Sequence, residues 1–508
     1  MKCGTGRIAT VVSRPLSFPA TNATTMPAPD LVQIATLEMR VNGFEPVFAP
    51  EVLREAEQRA QAGPQRSGDI RDLRDRQWFS IDNIDTLDLD QLTWAVALPD
   101  GSLRLAVAVA DVDSMVHRGS PVDAHAAANT TSVYTAAGVF PMLPPLLSND
   151  RTSLHEGEER LAVVVEMNID REGSVTGTQL YRAAVRNHAK LDYDSVAAWL
   201  EGQAPPPAAI ATKASLQAQL RLHDEAARSL RQWRQQRGAL NVATSQARPV
   251  FDKGELVDLR ADRKNRAKDL IADIMIATNG ATARFLVEHR QPSMRRVLQQ
   301  PRRWDRLIQL AEQHGVTLPT VPDALALDRF LTVRRQANPA RFEDLSLAVV
   351  KLLGSGAYAA APAEAPPAGH FGLAVSDYAH STAPNRRFVD LVTQRILKAT
   401  VAQDATPYSM DELDAIAKWC TVQEDRASTV ERRVLKAAAA YLLHDRIGES
   451  FDAIVTGVAA KGTFVRITAP MVEGRMVRGF EGLDVGDAVR VKLRGVDIEQ
   501  RFIDFESL

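Results

Sequence analysis

Apolar positions recur along this chain with two periods, and the switches between them divide it. Residues 1 to about 45 carry little pattern, with Pro15, Pro19, Pro27 and Pro29 interrupting any element. From Pro50 the stretch EVLREAEQRAQAG predicts a short charged helix closing at Gly63-Pro64. Trp94 to Leu98 and Leu103 to Asp111 flank a Pro-Asp-Gly turn at 99–101 and predict a β-hairpin. Leu161 to Ile169 predicts a further strand, ending in the turn Asp170 to Gly173. A three-to-four period then takes over. Leu270, Ile271, Ile274, Met275, Thr278, Phe285 and Leu286 fall on one helical stripe, and Phe388, Leu391, Val392, Arg395, Ile396 and Thr400 form another that starts after Pro384. A third long helix is predicted over Val422 to His444. The Ala/Pro stretch Ala357 to Ala368 reads as a surface loop. From Gly448 five short β-rich segments separated by Gly and Asp turns predict a small antiparallel barrel of the OB type. No internal repeat is present.

Composition narrows this picture modestly. A chain of 508 residues exceeds a single core and calls for two to four domains. An apolar share of 45% with 24% charged residues is that of soluble globular protein and excludes disorder over the whole length. Cys3 and Cys420, the only two cysteines, are too few for a disulfide framework or a cysteine-rich zinc site, so a reducing, cytoplasmic setting is expected. No run of about 18 apolar residues argues for a membrane span. Met1 to Met26 carries Lys2, Arg7 and Arg14 without an apolar core, which makes a poor signal peptide and leaves Met26 as a candidate start. The net charge of −2 conceals arginine-rich segments at 221–237 and 295–306 and an acidic one at 82–90. A nucleic-acid partner needs basic residues only along the path of the strand, so the overall balance neither supports nor excludes one.

The acidic segment carries the chemistry. Asp82, Asp85, Asp88 and Asp90 lie within nine positions. Carboxylates about 4 Å apart repel by roughly 1–4 kcal/mol at intermediate dielectric, so a fold that gathers them calls for a cation. Mg²⁺ or Mn²⁺ is the usual partner of oxygen ligands, and such a site can bind phosphate oxygens and activate water. A solvated acidic loop has the same composition. A calcium loop is a third reading, but its required Gly and terminal Glu are absent.

The surrounding motifs resemble those of the RNase II family, whose catalytic unit is the RNB domain. They begin with Arg71-Asp72-Leu73, Ile81-Asp82 and Asp88-Leu89-Asp90-Gln91. They continue through VAVADVDSMVHRGSPVD (107–123), TSVYTAAGVFPMLPPLLSND (131–150), SLHEGEERLAVVVEMNID (153–170), RGAL (237–240), LIADIMIATN (270–279) and HFGLAVSDYAHSTAPNRRFVDLVTQR (370–395). The resemblance implies an α+β fold in which a mixed sheet packs with helices around an RNA channel, followed by an OB-fold barrel. It places a short divergent N-terminal module over 1–70, helical and RNA-binding, the RNB domain over 71–447 and the barrel over 448–508. It implies a metal-dependent 3′→5′ exoribonuclease that degrades RNA processively to nucleoside 5′-monophosphates. The single-stranded RNA 3′ end is the expected partner, and the protein is expected to be monomeric. Asp82, Asp88 and Asp90 are then the metal ligands and Arg386 the catalytic arginine. Arg387 becomes a phosphate contact or a structural residue. Tyr134 becomes the aromatic stacked on the terminal base, Glu431 an acidic residue flanking the 3′ end, and Phe464 a base-stacking position of the barrel, or core.

Two departures stand out. The family motif ends in adjacent aspartates, whereas Gln91 holds the last position here; it keeps an oxygen but loses a charge, which weakens one metal position or demotes a ligand to an outer hydrogen bond. Asp85 is a candidate to compensate. A catalytically weak, RNA-binding or regulatory member is the rival reading that Gln91 motivates. The two cold-shock domains of typical bacterial members are also not legible in the first 70 residues, so a looser gate and tolerance of structured RNA are expected.

Overall fold

A computed structural model describes residues 30–508 apart from residues 67, 244, 253–254, 299, 367 and 460–461, so a start at Met26 lies outside the described residues. Two helices come first. The weakly patterned stretch contains α1 (Leu31–Val41), which Asp30 caps by accepting from Val32 and Gln33 N–H. α2 (Pro50–Ala62) is the expected charged helix, with Pro50 at its first turn and Gly63 at its end.

The strands of the main sheet follow: β1 (Ile70–Asp72), β2 (Trp78–Asp82), β3 (Gln91–Ala97) and β4 (Leu103–Ala110). β3 and β4 form the hairpin predicted around Pro99-Asp100-Gly101, and Gly101 takes a φ of 81° that the turn needs. β4 reads LRLAVAVA and is buried almost throughout, as a central strand covered on both faces must be. After α3 (Pro121–Asn129) and the small hairpin of β5 (Val133–Thr135) and β6 (Gly138–Phe140) come β7 (Glu159–Ile169) and the 18-residue β8 (Val175–Asp192). The sheet runs β1-β8-β2-β3-β4-β7, and β8 also pairs with β7, so one long strand joins both ends. The start of β8 lies antiparallel to β7, while its end lies parallel to β2 and sets Asp82 opposite Asp192.

Helices cover this sheet: α4 (Tyr193–Leu200), α5 (Ala214–Gln235) and α6 (Arg266–Glu288), with the hairpin β9 (Gln246–Asp252) and β10 (Glu255–Asp262) between the last two. Among the described residues, α6 alone is long and apolar enough to cross a bilayer, yet most of it is buried against α4, α5, β7 and β8. It is a core helix. Next come β11 (Ser293–Val297) and a three-helix body of α7 (Trp304–Gln313), α8 (Ala324–Ala337) and α9 (Phe342–Leu353), packed around Trp304, Leu327, Phe330 and Phe342. The Ala/Pro stretch departs from the expected loop. Ala357–Ala361 is strand β12, because pairing with all five residues of β11 overrides its composition.

α10 (Phe388–Ala402) starts where expected, whereas α11 (Met410–Leu443) starts twelve residues before Val422. Ser409 and Glu412 form a capping box there, and they fix the true beginning. The chain ends in a closed five-stranded barrel of β13 (Ser450–Ala459), β14 (Gly462–Thr468), β15 (Met471–Arg478), β16 (Ala488–Asp497) and β17 (Phe502–Ser507), in the order β13-β14-β15-β17-β16. It is not wholly antiparallel as expected: β15 and β17 run parallel.

Candidate active site

Local structure separates the four clustered aspartates. Asp82 ends β2, and its Oδ1 accepts from Asn83 N–H (2.7 Å) and Thr86 Oγ1 (2.9 Å). The segment between β2 and β3 is then pinned from outside: Lys190 Nζ donates to the carbonyls of Ile84 (3.1 Å) and Thr86 (2.6 Å), and Ser153 Oγ to that of Leu87 (2.6 Å). Leu89 is buried, and its N–H donates to Ser153 Oγ. Leu89 packs into the core, Asp88 and Asp90 are half-buried and buried beside it, and Asp85 is left outside. Asp85 is exposed and pairs with Arg248 (2.9 Å), so it does not supply the missing carboxylate.

The second wall comes from the segment before α10. Asn385 N–H donates to Asp90 Oδ1 (3.0 Å), and Arg386 Nε lies 3.2 Å from Asp90 Oδ2. Thr152 Oγ1 holds the Asn385 side chain (2.6 Å), while Ser132 N–H and Thr131 Oγ1 both donate to the Arg386 carbonyl. Arg387 turns away: its guanidinium grips Asp390 with two bonds of 2.7 Å, and Asp390 also accepts from Ala383 N–H. In this structure it braces the loop that presents Arg386. Tyr134 stands over the group, donating its O–H to Asp88 Oδ2 (3.3 Å) and its N–H to Glu431 Oε1 (3.1 Å). Tyr134 as a whole is 43% exposed.

Thus Asp82, Asp88, Asp90, Arg386, Tyr134 and Glu431 come together from β2, the β2–β3 segment, the loop before α10, β5 and α11. Phe464 does not join them. It lies half-buried on β14, between Thr463 and Val465, which face the barrel interior. Three participants were not legible beforehand: Asn385, Asp390 and Tyr193. Tyr193 follows Asp192, the register partner of Asp82, and its hydroxyl is pushed up by burial, with Asp82 adding to the effect.

The electrostatics are those of uncompensated charge. Burial pushes the Asp90 carboxyl up to about 7, Arg386 opposes the rise and Asp88 reinforces it. Burial likewise raises Asp88, with Arg386 opposing and Asp82 adding. Burial disfavours the charged Arg386 guanidinium, but Asp90, Tyr134, Asp82 and Asp88 outweigh it and raise its pKa. Asp90 Oδ2 is buried and receives no aligned hydrogen bond. Hard oxygen donors, surplus negative charge and an orphaned buried carboxylate oxygen suit a divalent cation in chemistry. In geometry the carboxylates stand apart: among the described residues no three His, Cys, Asp or Glu side chains gather closely enough to hold one together.

Gln91 is accounted for differently. Its Nε2 donates to the Thr382 carbonyl, which ties the start of β3 to the loop that carries Arg386. A carboxylate at this position would face that carbonyl without a proton to offer.

Comparison with known proteins agrees with this architecture. Residues 70–403 match the RNB domain, and residues 449–508 match the RNase II-type exonuclease C-terminal S1 domain. The chain is 30% identical over 476 residues to Ribonuclease R of Vibrio parahaemolyticus, covering 86% of this chain and 55% of that one. It is 32% identical over 445 residues to Ribonuclease R of Thermotoga maritima, covering 84% and 60%. The chain therefore spans a little over half the length of these curated relatives. Among solved structures, Mycoplasma genitalium RNase R, in complex with ribose-methylated single-stranded RNA, superposes with a TM-score of 0.82 at 22% identity, covering 94% of this chain and 78% of that one. With the RNB match alone spanning well over half of its residues, this chain belongs to the RNB, or RNase II-type, family.

Proposed function

We propose that the protein is a hydrolytic 3′→5′ exoribonuclease that uses a divalent metal, Mg²⁺ or Mn²⁺, and releases nucleoside 5′-monophosphates processively from RNA. One observation carries this reading: three inward carboxylates answered by a single arginine, beneath a half-exposed tyrosine anchored at its backbone. RNA in the matched Mycoplasma genitalium complex and the Ribonuclease R names of the relatives support RNA as the substrate class, and the direction follows from the family resemblance.

Asp82, Asp88 and Asp90, which stand apart in this structure, would have to draw together to hold the cation, which when bound would supply Lewis acidity at the phosphate oxygens and a water of lowered pKa. The chain's own residues do the rest. Arg386 keeps its charge, and its side chain is 40% exposed, so it can turn from Asp90 to a phosphate oxygen and stabilise charge as the P–O bond breaks. The Tyr134 ring offers a stacking face to the terminal base that is indifferent to sequence. Glu431 and the O–H bond to Asp88 fix that ring relative to the carboxylates. Arg387, Asp390 and Gln91 hold the arginine loop in register.

The test is incubation of the full chain with 5′-labelled single-stranded RNA and Mg²⁺, beside the Asp90→Asn variant. Progressive shortening from the 3′ end by wild type alone is expected. Binding without shortening would sink the enzyme reading and favour the rival. A duplex with a 3′ overhang in the same assay tests tolerance of structured RNA, and a stop at the duplex edge counts against it.

A further inference from the structure

Outside the carboxylate site, the hairpin β9–β10 and the start of α6 enclose a groove of about 680 Å³. Five cations line it, Arg248, Arg260, Arg263, Lys264 and Lys268, against three carboxylates, in a chain whose overall balance is −2. Phe251 lines the same groove and is 47% exposed, so its ring face is open among these cations.

Two connections join this groove to the site. Arg248 reaches Asp85, three residues beyond Asp82. Lys268 Nζ lies 6.0 Å from the centre of the Tyr193 ring, and Tyr193 senses both Asp82 and Arg386. The groove thus opens beside the Asp82 edge of the site, whereas Tyr134 and Glu431 frame the Asp88 edge.

The ion pairs of Arg248 and Arg260 are of the exchangeable kind, whereas Lys268 is held by Asp262 with its own side chain only 22% exposed. Arg248 and Asp85 have side chains 49% and 67% exposed. Arg260 pairs with Asp258, two residues away, and its own side chain is 71% exposed. Exposed pairs of this sort contribute little to stability, so a phosphate can displace the carboxylate at little cost. Arg263 is exposed at the centre of the run. Basic side chains interleaved with an open aromatic ring are what a single strand needs: charge along the backbone and a platform for a base.

We propose that this groove binds the phosphate backbone of single-stranded RNA beyond the nucleotides held in the active site. The assignment rests on the proposed function for the identity of the polymer, but its test does not depend on hydrolysis. A triple variant, Phe251→Ala with Arg260→Ala and Arg263→Ala, alters only exposed side chains and leaves the catalytic group intact. Binding of a fluorescein-labelled 20-nucleotide RNA is measured in EDTA across a KCl series, and turnover of a four-nucleotide RNA is measured in Mg²⁺. Affinity for the long RNA should fall about 10-fold or more, and the slope of log K against log salt should become shallower by about 1.4, the two lost phosphate contacts at about 0.7 each. Four-nucleotide turnover should match wild type. Unchanged affinity and slope would overturn the proposal, as would an equal loss on the four-nucleotide RNA, which would put these residues at the reacting end. If the triple variant loses affinity and slope as expected but wild type hydrolyses neither substrate, the exoribonuclease reading is overturned while the groove is supported.

Discussion

The β3–β4 hairpin ends in two clusters of three aspartates, and they have opposite electrostatic fates. Asp90 immediately precedes β3 and Asp111 immediately follows β4; they are adjacent, with Ala110 N–H donating to the Asp90 carbonyl. On the Asp111 side, Asp111, Asp113 and Asp123 meet three cations. Arg182 and Lys398 pair with Asp111, Lys398 and Arg395 with Asp113, and Arg395 with Asp123, all between 2.6 and 2.9 Å. There the pairing to Lys398 and Arg395 overcomes burial and holds Asp113 below its usual range. On the Asp90 side three carboxylates share one arginine, and Asp88 and Asp90 are pushed up. The segment from Arg386 to Lys398 feeds cations to both clusters. Matched charge makes a brace; surplus charge makes a place for a cation and a phosphate. The lesson is that counting aspartates locates neither, and counting their partners separates the two.

That comparison can be broken at either cluster. Arg395→Met strips buried Asp123 of its cation and leaves half-buried Asp113 with Lys398 alone, and should cost about 3–5 kcal/mol of stability, read as a lowered urea midpoint, with turnover per folded molecule unchanged. A stable but inactive Arg395→Met would mean that the brace belongs to the chemistry. Arg386→Ala should behave in the opposite way: about a 10²–10³-fold loss in kcat on single-stranded RNA, with a urea midpoint close to wild type in Mg²⁺. A large stability loss with retained turnover would reverse the assignment of the two clusters.

The same contrast has a pH signature in EDTA. Asp90 has a folded pKa raised from 3.8 to about 7, so its contribution to stability is fully present below about pH 3.8 and is lost as pH rises towards 7. Asp113, lowered on folding, contributes stability that is present above its unfolded pKa and is lost as pH falls through its folded one. Asp90→Asn should therefore flatten the decline between pH 4 and 7 and raise the urea midpoint at pH 8, while leaving the acid limb in place. An unchanged profile would show that Asp90 is already compensated.

Local rules made much of this visible before any coordinates. The Pro-Asp-Gly turn announced the β3–β4 hairpin, and the three-to-four stripes announced α6 and α10. β8 was not announced, because an 18-residue strand that alternates buried and half-exposed residues only over its later part, with Arg, Asn and His among them, takes its form from two partners far apart in sequence. β12 was hidden by its Ala/Pro composition. Within the site, the spacing of Asp82, Asp88 and Asp90 pointed to the chemistry, but it could not say that Asp85 would lie outside, paired with Arg248. Asn385 and Asp390 act through a backbone N–H and a loop brace, and neither leaves a compositional trace.

Gln91 gives the finest test of the comparison, because it sits where a further carboxylate would deepen the surplus. Two effects compete in Gln91→Asp. The new charge adds to Asp88 and Asp90 and should tighten the metal, lowering the Mg²⁺ concentration for half-maximal activity several-fold. The lost amide donor leaves the Thr382 carbonyl without its partner and places a carboxylate near it, at a cost of about 0.5–1.5 kcal/mol in the loop that presents Arg386. Metal affinity and kcat should therefore move apart: tighter Mg²⁺ with a kcat reduced about 2- to 10-fold, since roughly 1 kcal/mol of misplacement is about fivefold in rate. Gln91→Glu, one methylene longer and equally unable to donate, should reproduce the fall in kcat. A Mg²⁺ titration of activity separates the two effects, and a rise in kcat with Gln91→Asp would mean that the missing charge, not the tether, limits turnover.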